Sequence, residues 1–423
     1  MNKSMHHVAF ISEHASPLAD LGGVDTGGQN VYVAQLAKCL ANENYQIDIY
    51  TRLEDAGQQQ IVNWLPGIRV IHVKAGPARV LPKEEILPFM PEFRDNMLAF
   101  IAEQGIDYQL IHANFFMSGW VAAEVKSILG IPYTITFHAL GYIRQLHQGN
   151  NDKFPPERLR IEKHVAESAD WVIAECPQDK EDLINYYEVP ANKITIIPCG
   201  FSQDEFYPIK KKEARKKLQL HPNEPILLQL GRMVPRKGVD NVVKALGQLK
   251  KKGKKVRLLV VGGENERADL KQCPELNRLY QIACESDVAE QIHFAGRKQR
   301  EALKYYYAAA DIFVTTPWYE PFGITPLEAM ACGTPVIGAN VGGIKYSVLD
   351  GQTGALVSPD NPAELAQKVD ELIFDQTKIA ELSLNAINRV NAYFTWASVA
   401  RRVSSLYQKI IETATEKKLR KAG

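Results

Sequence analysis

The chain has 423 residues, 50 Lys plus Arg against 49 Asp plus Glu, and a formal net charge of +1. That balance excludes the large basic excess of a nucleic-acid binder, and 45% hydrophobic with 23% charged residues excludes a disordered chain. The length predicts two or three domains, with cores large enough to need no covalent staples.

Short apolar runs alternate with helical stretches along the chain, the signature of parallel sheets built from βαβ units. The first run, within Met1–Ser12, is too short for a signal peptide or a membrane span and reads as a buried strand, His7–Ile11. Further strands follow at Gln46–Tyr50, Arg69–Val73, Leu110–His112, Tyr133–Phe137, Trp171–Ala174 and Ile194–Ile197. Between the first two, Gly28–Glu43 carries Val31, Ala34, Leu36, Ala37 and Leu40 near helical spacing. Pro198–Pro208 reads as a linker, with Pro at both ends and Gly200 inside. The basic stretch Lys210–Lys217 reads as a solvated helix face. The rhythm restarts at Ile226–Leu230 and continues through Arg257–Val261, Ile292–Phe294, Ile312–Thr315, Pro335–Ile337 and Ala355–Val357.

A long helical pattern runs from Trp396 to Lys418, and the basic tail Lys417–Lys421 is a weak candidate for contact with anionic lipid. No apolar run reaches the ~18 residues of a membrane span, so no integral membrane segment is expected. The expected architecture is α/β: two doubly wound Rossmann-like domains, 1–200 and 201–395, facing a cleft, and a C-terminal helix, 396–423. Six cysteines, at 39, 176, 199, 273, 284 and 332, form no Cys-x-x-Cys pair and read as small buried hydrophobes in a reducing cytosol.

In open α/β sheets ligands bind outside the carboxyl ends of the strands, so chemistry is sought in the loops there. Gly22-Gly23-Val24-Asp25-Thr26-Gly27-Gly28-Gln29-Asn30 follows the first strand and matches neither a dinucleotide fingerprint nor a P-loop. Its glycines permit close backbone approach to an anion at a helix N-terminus, or it is a flexible loop with Thr26 as N-cap. Gly231-Arg232-Met233-Val234-Pro235-Arg236-Lys237-Gly238 sets cations beside glycines after a buried strand, suited to phosphate or to plain solvation. In Tyr319–Gly333, Pro326 fits a first helical turn and Gly333 a helix end. That places Glu320 in a loop and Glu328 on a helix, for hydroxyl binding or, for Glu328, simple solvent exposure. His138 ends a strand where a ligand would lie; His112 has a similar place with less around it. No metal-ligand spacing is present, so no metal is expected.

In this order and spacing, these elements resemble the retaining GT-B glycosyltransferases of family 4. The resemblance rests on the Glu-x7-Glu element from Glu320 to Glu328, the element Gly231 to Gly238, the post-strand His138 and the N-terminal glycine loop, and it spans essentially the whole chain. It implies that Arg232 and Lys237 hold the donor diphosphate and that Glu320 contacts the transferred sugar. Phe322, Gly323 and Ile324 would offer backbone amides to sugar hydroxyls, with Thr325 and Leu327 beside them on the donor side. Glu328 would bind the ribose, His138 would lie near the reacting carbon, and Gly27 and Gly28 would close on the diphosphate. It implies no cofactor beyond a nucleotide-sugar co-substrate, with UDP-glucose the expected donor, and front-side displacement without a metal. It further implies a C-terminal helix that packs back on the first domain.

Within the family, Asp25–Gln29 and His138-Ala139-Leu140 most resemble sucrose synthase and sucrose-phosphate synthase. Leu81–Glu85 is similar also to the inositol-phosphate N-acetylglucosaminyltransferase of mycothiol synthesis. Gln29, Lys83 and Arg144 become candidates for an acceptor sugar or sugar phosphate, with plain surface charge the alternative for Lys83 and Arg144. The chain departs from the sucrose enzymes at Asn114–Gly119 and from many relatives at Ile344-Lys345-Tyr346 after Gly342-Gly343, which bears on acceptor and donor choice. No appended phosphatase domain is expected. A sugar-nucleotide epimerase, a silent nucleotide-sugar binder, and a transferase acting on an inositol phosphate, a glycan or a lipid-linked sugar are the alternatives. The expected location is the cytoplasm; the oligomeric state is left open.

Overall fold

A computed structural model describes residues 5–19 and 27–422. The chain divides into two compact units, one ending at Pro198 but regaining the chain from Trp396 onward, the other spanning Cys199–Thr395.

The first unit holds β1 (His6–Ile11), β2 (Tyr45–Arg52), β3 (Ile61–Leu65), β4 (Ile68–Val73), β5 (Leu110–Asn114), β6 (Tyr133–Thr136), β7 (Trp171–Ala174) and β8 (Ile194–Ile196). They form one sheet in the order β3-β4-β2-β1-β5-β6-β7-β8. The continuous apolar runs are continuous because both faces are covered: Val8, Ala9, Phe10 and Ile11 are all fully buried. All neighbouring pairs are parallel except β3 with β4. The sequence reading passes over β3, since Ile61-Val62-Asn63-Trp64-Leu65 is a half-exposed edge strand with no unbroken apolar run. Its hairpin to β4 closes through Pro66 and Gly67, the glycine at φ 76°.

The helix Trp396–Ala422 completes this unit. Tyr407 donates its hydroxyl to, or accepts from, His112 Nδ1 at 2.6 Å, Ser404 Oγ lies 3.0 Å from the Tyr45 hydroxyl, and Trp396 meets Tyr32 edge-on. His112 is therefore a core residue, bonded also to Thr136 at 2.9 Å, and burial pushes its imidazole down to about 3.

The second unit holds β9 (Ile226–Leu230), β10 (Arg257–Val261), β11 (Ile292–Gly296), β12 (Ile312–Thr315), β13 (Val336–Ala339) and β14 (Gly354–Val357). Its parallel sheet runs β11-β10-β9-β12-β13-β14. Strand order reverses between β1 and β5 in one sheet and between β9 and β12 in the other. Crevices for ligands form beyond the carboxyl ends at such reversals.

Two local expectations need correction, and one alternative closes. Cys39 is half-buried and Cys284 exposed, so only four of the cysteines are small core residues. The basic helix Lys211–Lys217 is not wholly solvated: Arg215 is 3% exposed and reaches Asp311 at 2.8 Å and two carbonyls, while Lys211 meets the other Asp311 oxygen at 2.6 Å. Glu328 does not face solvent; it is 3% exposed. The predicted cap Thr26, with the segment from Gly22, lies outside the described residues.

Candidate active site

In the second unit, β9 delivers the chain to Gly231 and a single turn, Pro235–Lys237, ended by Gly238 at φ 64°. A Cβ at Gly238 would sit 1.9 Å from the Thr316 carbonyl oxygen, and Thr316 Oγ1 donates to the Gly238 carbonyl at 2.9 Å. Only glycine lets the loop after β9 lie this close to the end of β12. The loop is thereby fixed, and with it Lys237, whose ammonium is hydrogen-bonded to the Glu320 carboxylate. Arg236 approaches the same carboxylate oxygen at 3.7 Å and covers the Tyr319 ring.

Burial opposes ionisation of Glu320, but Lys237, Arg236 and Arg232 together hold its carboxyl below the ordinary range. For Lys237 the balance runs the other way. Burial, with Arg236 and Arg232 added, outweighs the single carboxylate and pushes the ammonium down to about 8. Arg232, Arg236 and Lys237 thus gather positive charge around the Glu320 carboxylate.

Gly342 and Gly343, used in the sequence only as landmarks, shape the other wall. A Cβ on Gly342 would come within 1.8 Å of the Glu320 carbonyl oxygen, and one on Gly343 within 2.4 Å of Phe322 Cα. The turn after β13 therefore packs backbone to backbone against Glu320–Phe322. Phe322 is buried against Phe394, and Gly323 at φ 89° opens the helix Ile324–Ala331. Ile324 and Thr325 lie in its first turn, where amides lack intrahelical acceptors. Leu327, fully buried, anchors the helix. One turn later Glu328 accepts from the Tyr307 hydroxyl at 2.9 Å and pairs with Arg300 at 3.1 Å. Burial raises its carboxyl, and Arg300 and the tyrosine counter that.

In the first unit, the carboxyl ends of β1, β5 and β6 converge. Gln29 Nε2 donates to the Asn114 carbonyl at 3.2 Å and to Ser12 Oγ at 3.3 Å. The Gly27 amide donates to Asn30 Oδ1 at 3.0 Å, and Gly28 starts the helix Gly28–Ala41. His138 stands at φ 58°, with Nε2 3.1 Å from Asn114 Oδ1, Nδ1 3.3 Å from Glu175, and its ring against Tyr32. Asn114 thus links Gln29 to His138.

The turn after His138 is tied down by a network that no sequence motif announces. Arg158 donates to the Ala139 carbonyl at 2.6 Å and pairs with Glu162 at 2.7 Å, while Glu162 accepts the Gly141 amide at 2.9 Å and the Tyr187 hydroxyl at 2.5 Å. Arg158 and Glu162 are 2% and 0% exposed. Phe154 is shared: Arg158 lies 4.5 Å and Arg144 4.9 Å from its ring, and Arg144 also pairs with Asp152 at 2.9 Å. Lys83, in the turn Lys83–Glu85, pairs with Glu84 at 3.4 Å. Arg144 adjoins the His138 network through Phe154.

Two further residues went unread. Fully buried Glu13 is hydrogen-bonded to Ser118 and holds His14 Nδ1 at 2.8 Å. A Ser-Glu-His triplet directly after a buried strand is the signal that was available. Among the described residues no group of three or more His, Cys, Asp or Glu side chains could hold a metal, and no helix is long and apolar enough to cross a membrane.

A profile described as glycosyl transferases group 1 matches residues 210–389, and one described as glycosyltransferase family 4 matches residues 26–205. The chain is 32% identical to D-inositol 3-phosphate glycosyltransferase 2 of Catenulispora acidiphila, over 97% of each chain. It is 34% identical to the solved sucrose-phosphate synthase of Thermosynechococcus elongatus, at a TM-score of 0.88 over 96% of this chain and 100% of that one. Anabaena HepE in complex with UDP-glucose shares the fold alone, at 21% identity, a TM-score of 0.74, and coverage of 95% of this chain and 99% of that one. The chain belongs to the family 4, group 1 glycosyltransferases of the GT-B fold and is an enzyme of that family, whose members move a hexose from a nucleotide sugar.

Proposed function

We propose that the enzyme transfers glucose from UDP-glucose, with retention at the anomeric carbon, to a phosphorylated acceptor, a sugar phosphate as in sucrose-phosphate synthase. The observation that carries this reading is the cation cluster of Arg232, Arg236 and Lys237 around the carboxylate of Glu320. Departure of a nucleoside diphosphate develops negative charge, and fixed cations with helix-end amides stabilise it where it forms. Arg232 and Lys237 hold the diphosphate in this reading; Glu320, with the amides of Phe322, Gly323 and Ile324, takes the sugar hydroxyls. Thr325 and Leu327 support that turn, and Glu328 takes the ribose.

On the acceptor side His138 lies against the sugar, Gly27 and Gly28 close on the diphosphate, and Gln29, Lys83 and Arg144 take the acceptor. A donor phosphate oxygen accepts the acceptor's proton in a front-side displacement, so neither glutamate acts as nucleophile and no metal enters. A cytoplasmic setting is part of this reading, in keeping with a sequence whose six cysteines form no Cys-x-x-Cys pair.

An inositol phosphate acceptor is the second reading, favoured by the 32% identity to an enzyme named for that substrate. Both names share a phosphate. Nucleoside diphosphate release, measured for UDP-, ADP- and GDP-sugars against fructose 6-phosphate, inositol 3-phosphate and their unphosphorylated forms, tests both. Release confined to UDP-glucose with fructose 6-phosphate supports the first reading. Release only with inositol 3-phosphate replaces it by the second. Release with unphosphorylated acceptors alone sinks both, and isomerised donor without release would mean an epimerase.

A further inference from the structure

We propose that Arg300 and Tyr307 are positioning residues that lock the plane of the Glu328 carboxylate for the two hydroxyls of a nucleoside ribose. The inference rests on the reading of Glu328 as the ribose acceptor and goes beyond it, since neither residue carries a motif.

Arg300 and Tyr307 lie seven positions apart on the helix Arg300–Ala309, about two turns, and so on one face. From that face each addresses a different oxygen of Glu328: Arg300 Nη1 stands 3.1 Å from Oε1, and the Tyr307 hydroxyl donates to Oε2 at 2.9 Å. One donor would leave the carboxylate free to swivel. Two donors on separate oxygens fix its rotation and leave each oxygen with a lone pair unused. A ribose diol brings two hydroxyl donors at a fixed spacing, the complement of such a carboxylate.

The two positioning groups are themselves braced. Arg300 Nε is hydrogen-bonded to Glu205, and its guanidinium covers the Phe206 ring at 4.9 Å. The Tyr307 ring meets Phe206 edge-on, and the Tyr307 carbonyl accepts from Thr334 Oγ1 at 2.6 Å. Tyr307 is fully buried and Glu328 3% exposed, so these bonds are made in a water-poor setting. Arg300 also favours the ionised carboxylate, the form with the most acceptor capacity.

The test is calorimetric binding of UDP, ADP and GDP and of their 2′-deoxy forms, first to the wild type. The best-bound ribonucleotide should exceed its deoxy form by about tenfold or more, the loss expected for a hydrogen bond to a charged group. In Tyr307→Phe, which removes only the hydroxyl, that ratio should shrink to about threefold or less with the deoxynucleotide affinity held. Arg300→Lys should do the same; should it fail to fold, judged by circular dichroism, Tyr307→Phe decides alone. A folded Tyr307→Phe that keeps the wild-type ratio overturns the proposal. So does a folded variant that loses all nucleotide binding, since the diphosphate contacts lie elsewhere, and so does a wild type with no ribose preference. A wild type that binds no nucleoside diphosphate overturns the proposed function itself, which sets that failure apart.

Discussion

The two units solve the same architectural problem with different materials. In Cys199–Thr395 the candidate site is made of charge: Arg232, Arg236 and Lys237 face Glu320 on loops after β9 and β12, each loop fixed by a glycine that nothing larger could replace. In the first unit, around His138, charge lies underneath, in the buried Arg158–Glu162 pair that holds the next turn. On the proposed reading the second unit meets a constant ligand, the donor's diphosphate, with fixed cations. The unit around His138 holds its turn from below, which on that reading leaves its face free to suit an acceptor that differs among relatives.

Substitutions should separate these two designs. The largest effect is expected from Glu162→Ala, which strands the Arg158 guanidinium in the core. Loss of about 3–5 kcal/mol is expected, read as a fall in the urea midpoint of the first unit; a change below about 1 kcal/mol would break the comparison. Lys237→Ala, in contrast, should lower kcat/KM by about 10²–10³-fold while the thermal midpoint stays within a few degrees. Near-normal turnover would refute the electrostatic account of the second unit.

The pH dependence should differ in sign as well as place. Lys237 titrates near 8 in the folded protein against an ordinary 10.5. Between those values the unfolded chain binds more protons, so the unliganded protein gains stability as pH rises from about 8. On the proposed reading UDP affinity should move oppositely: full below pH 8 and falling above it as the ammonium is lost, by up to about tenfold per pH unit. Calorimetry in buffers of different ionisation enthalpy should detect proton uptake on binding in that window. Lys237→Met should abolish the uptake.

His112 works in acid. Its folded value of about 3 lies below the ordinary 6.5, so its contribution is present above pH 6.5 and is lost as pH falls toward 3, at up to about 1.4 kcal/mol per unit. A His112→Asn variant should flatten that limb of the stability curve. The smallest effect belongs to Cys284→Ser at an exposed position, expected within about 0.5 kcal/mol of wild type by thermal melting.

How much of this was legible follows the same divide. The parallel strands could be read because burial on both faces demands unbroken apolar runs, and β3 could not because an edge strand need not have one. Lys237, Glu320 and Glu328 sit in single strand–loop–helix segments, so their spacing is local. Arg158 and Glu162 are an i,i+4 pair on one helix whose burial shows only when that helix packs, while Arg300 with Glu328 and Arg215 with Asp311 become partners only when separate elements meet. A lone arginine in a helical stretch looks the same whether it faces water or a buried carboxylate. Glu328 shows the limit: its helix is legible, but the choice between ligand and solvent stays open until the helix packs.

The return of the chain at Trp396 bears on synthesis at the ribosome. Phe201 bridges Thr395, and its amide donates to the Phe394 carbonyl at 2.9 Å, so the second unit enters and leaves at one seam. It is a contiguous insertion, translated in full before Trp396. The first unit is not, although its strands emerge earlier: Tyr45, His112 and Tyr32 wait for Ser404, Tyr407 and Trp396, which follow the whole insertion. The half begun first is therefore completed only after the insertion, and a chain cut at position 395 would carry every residue of the insert but leave the first sheet uncovered.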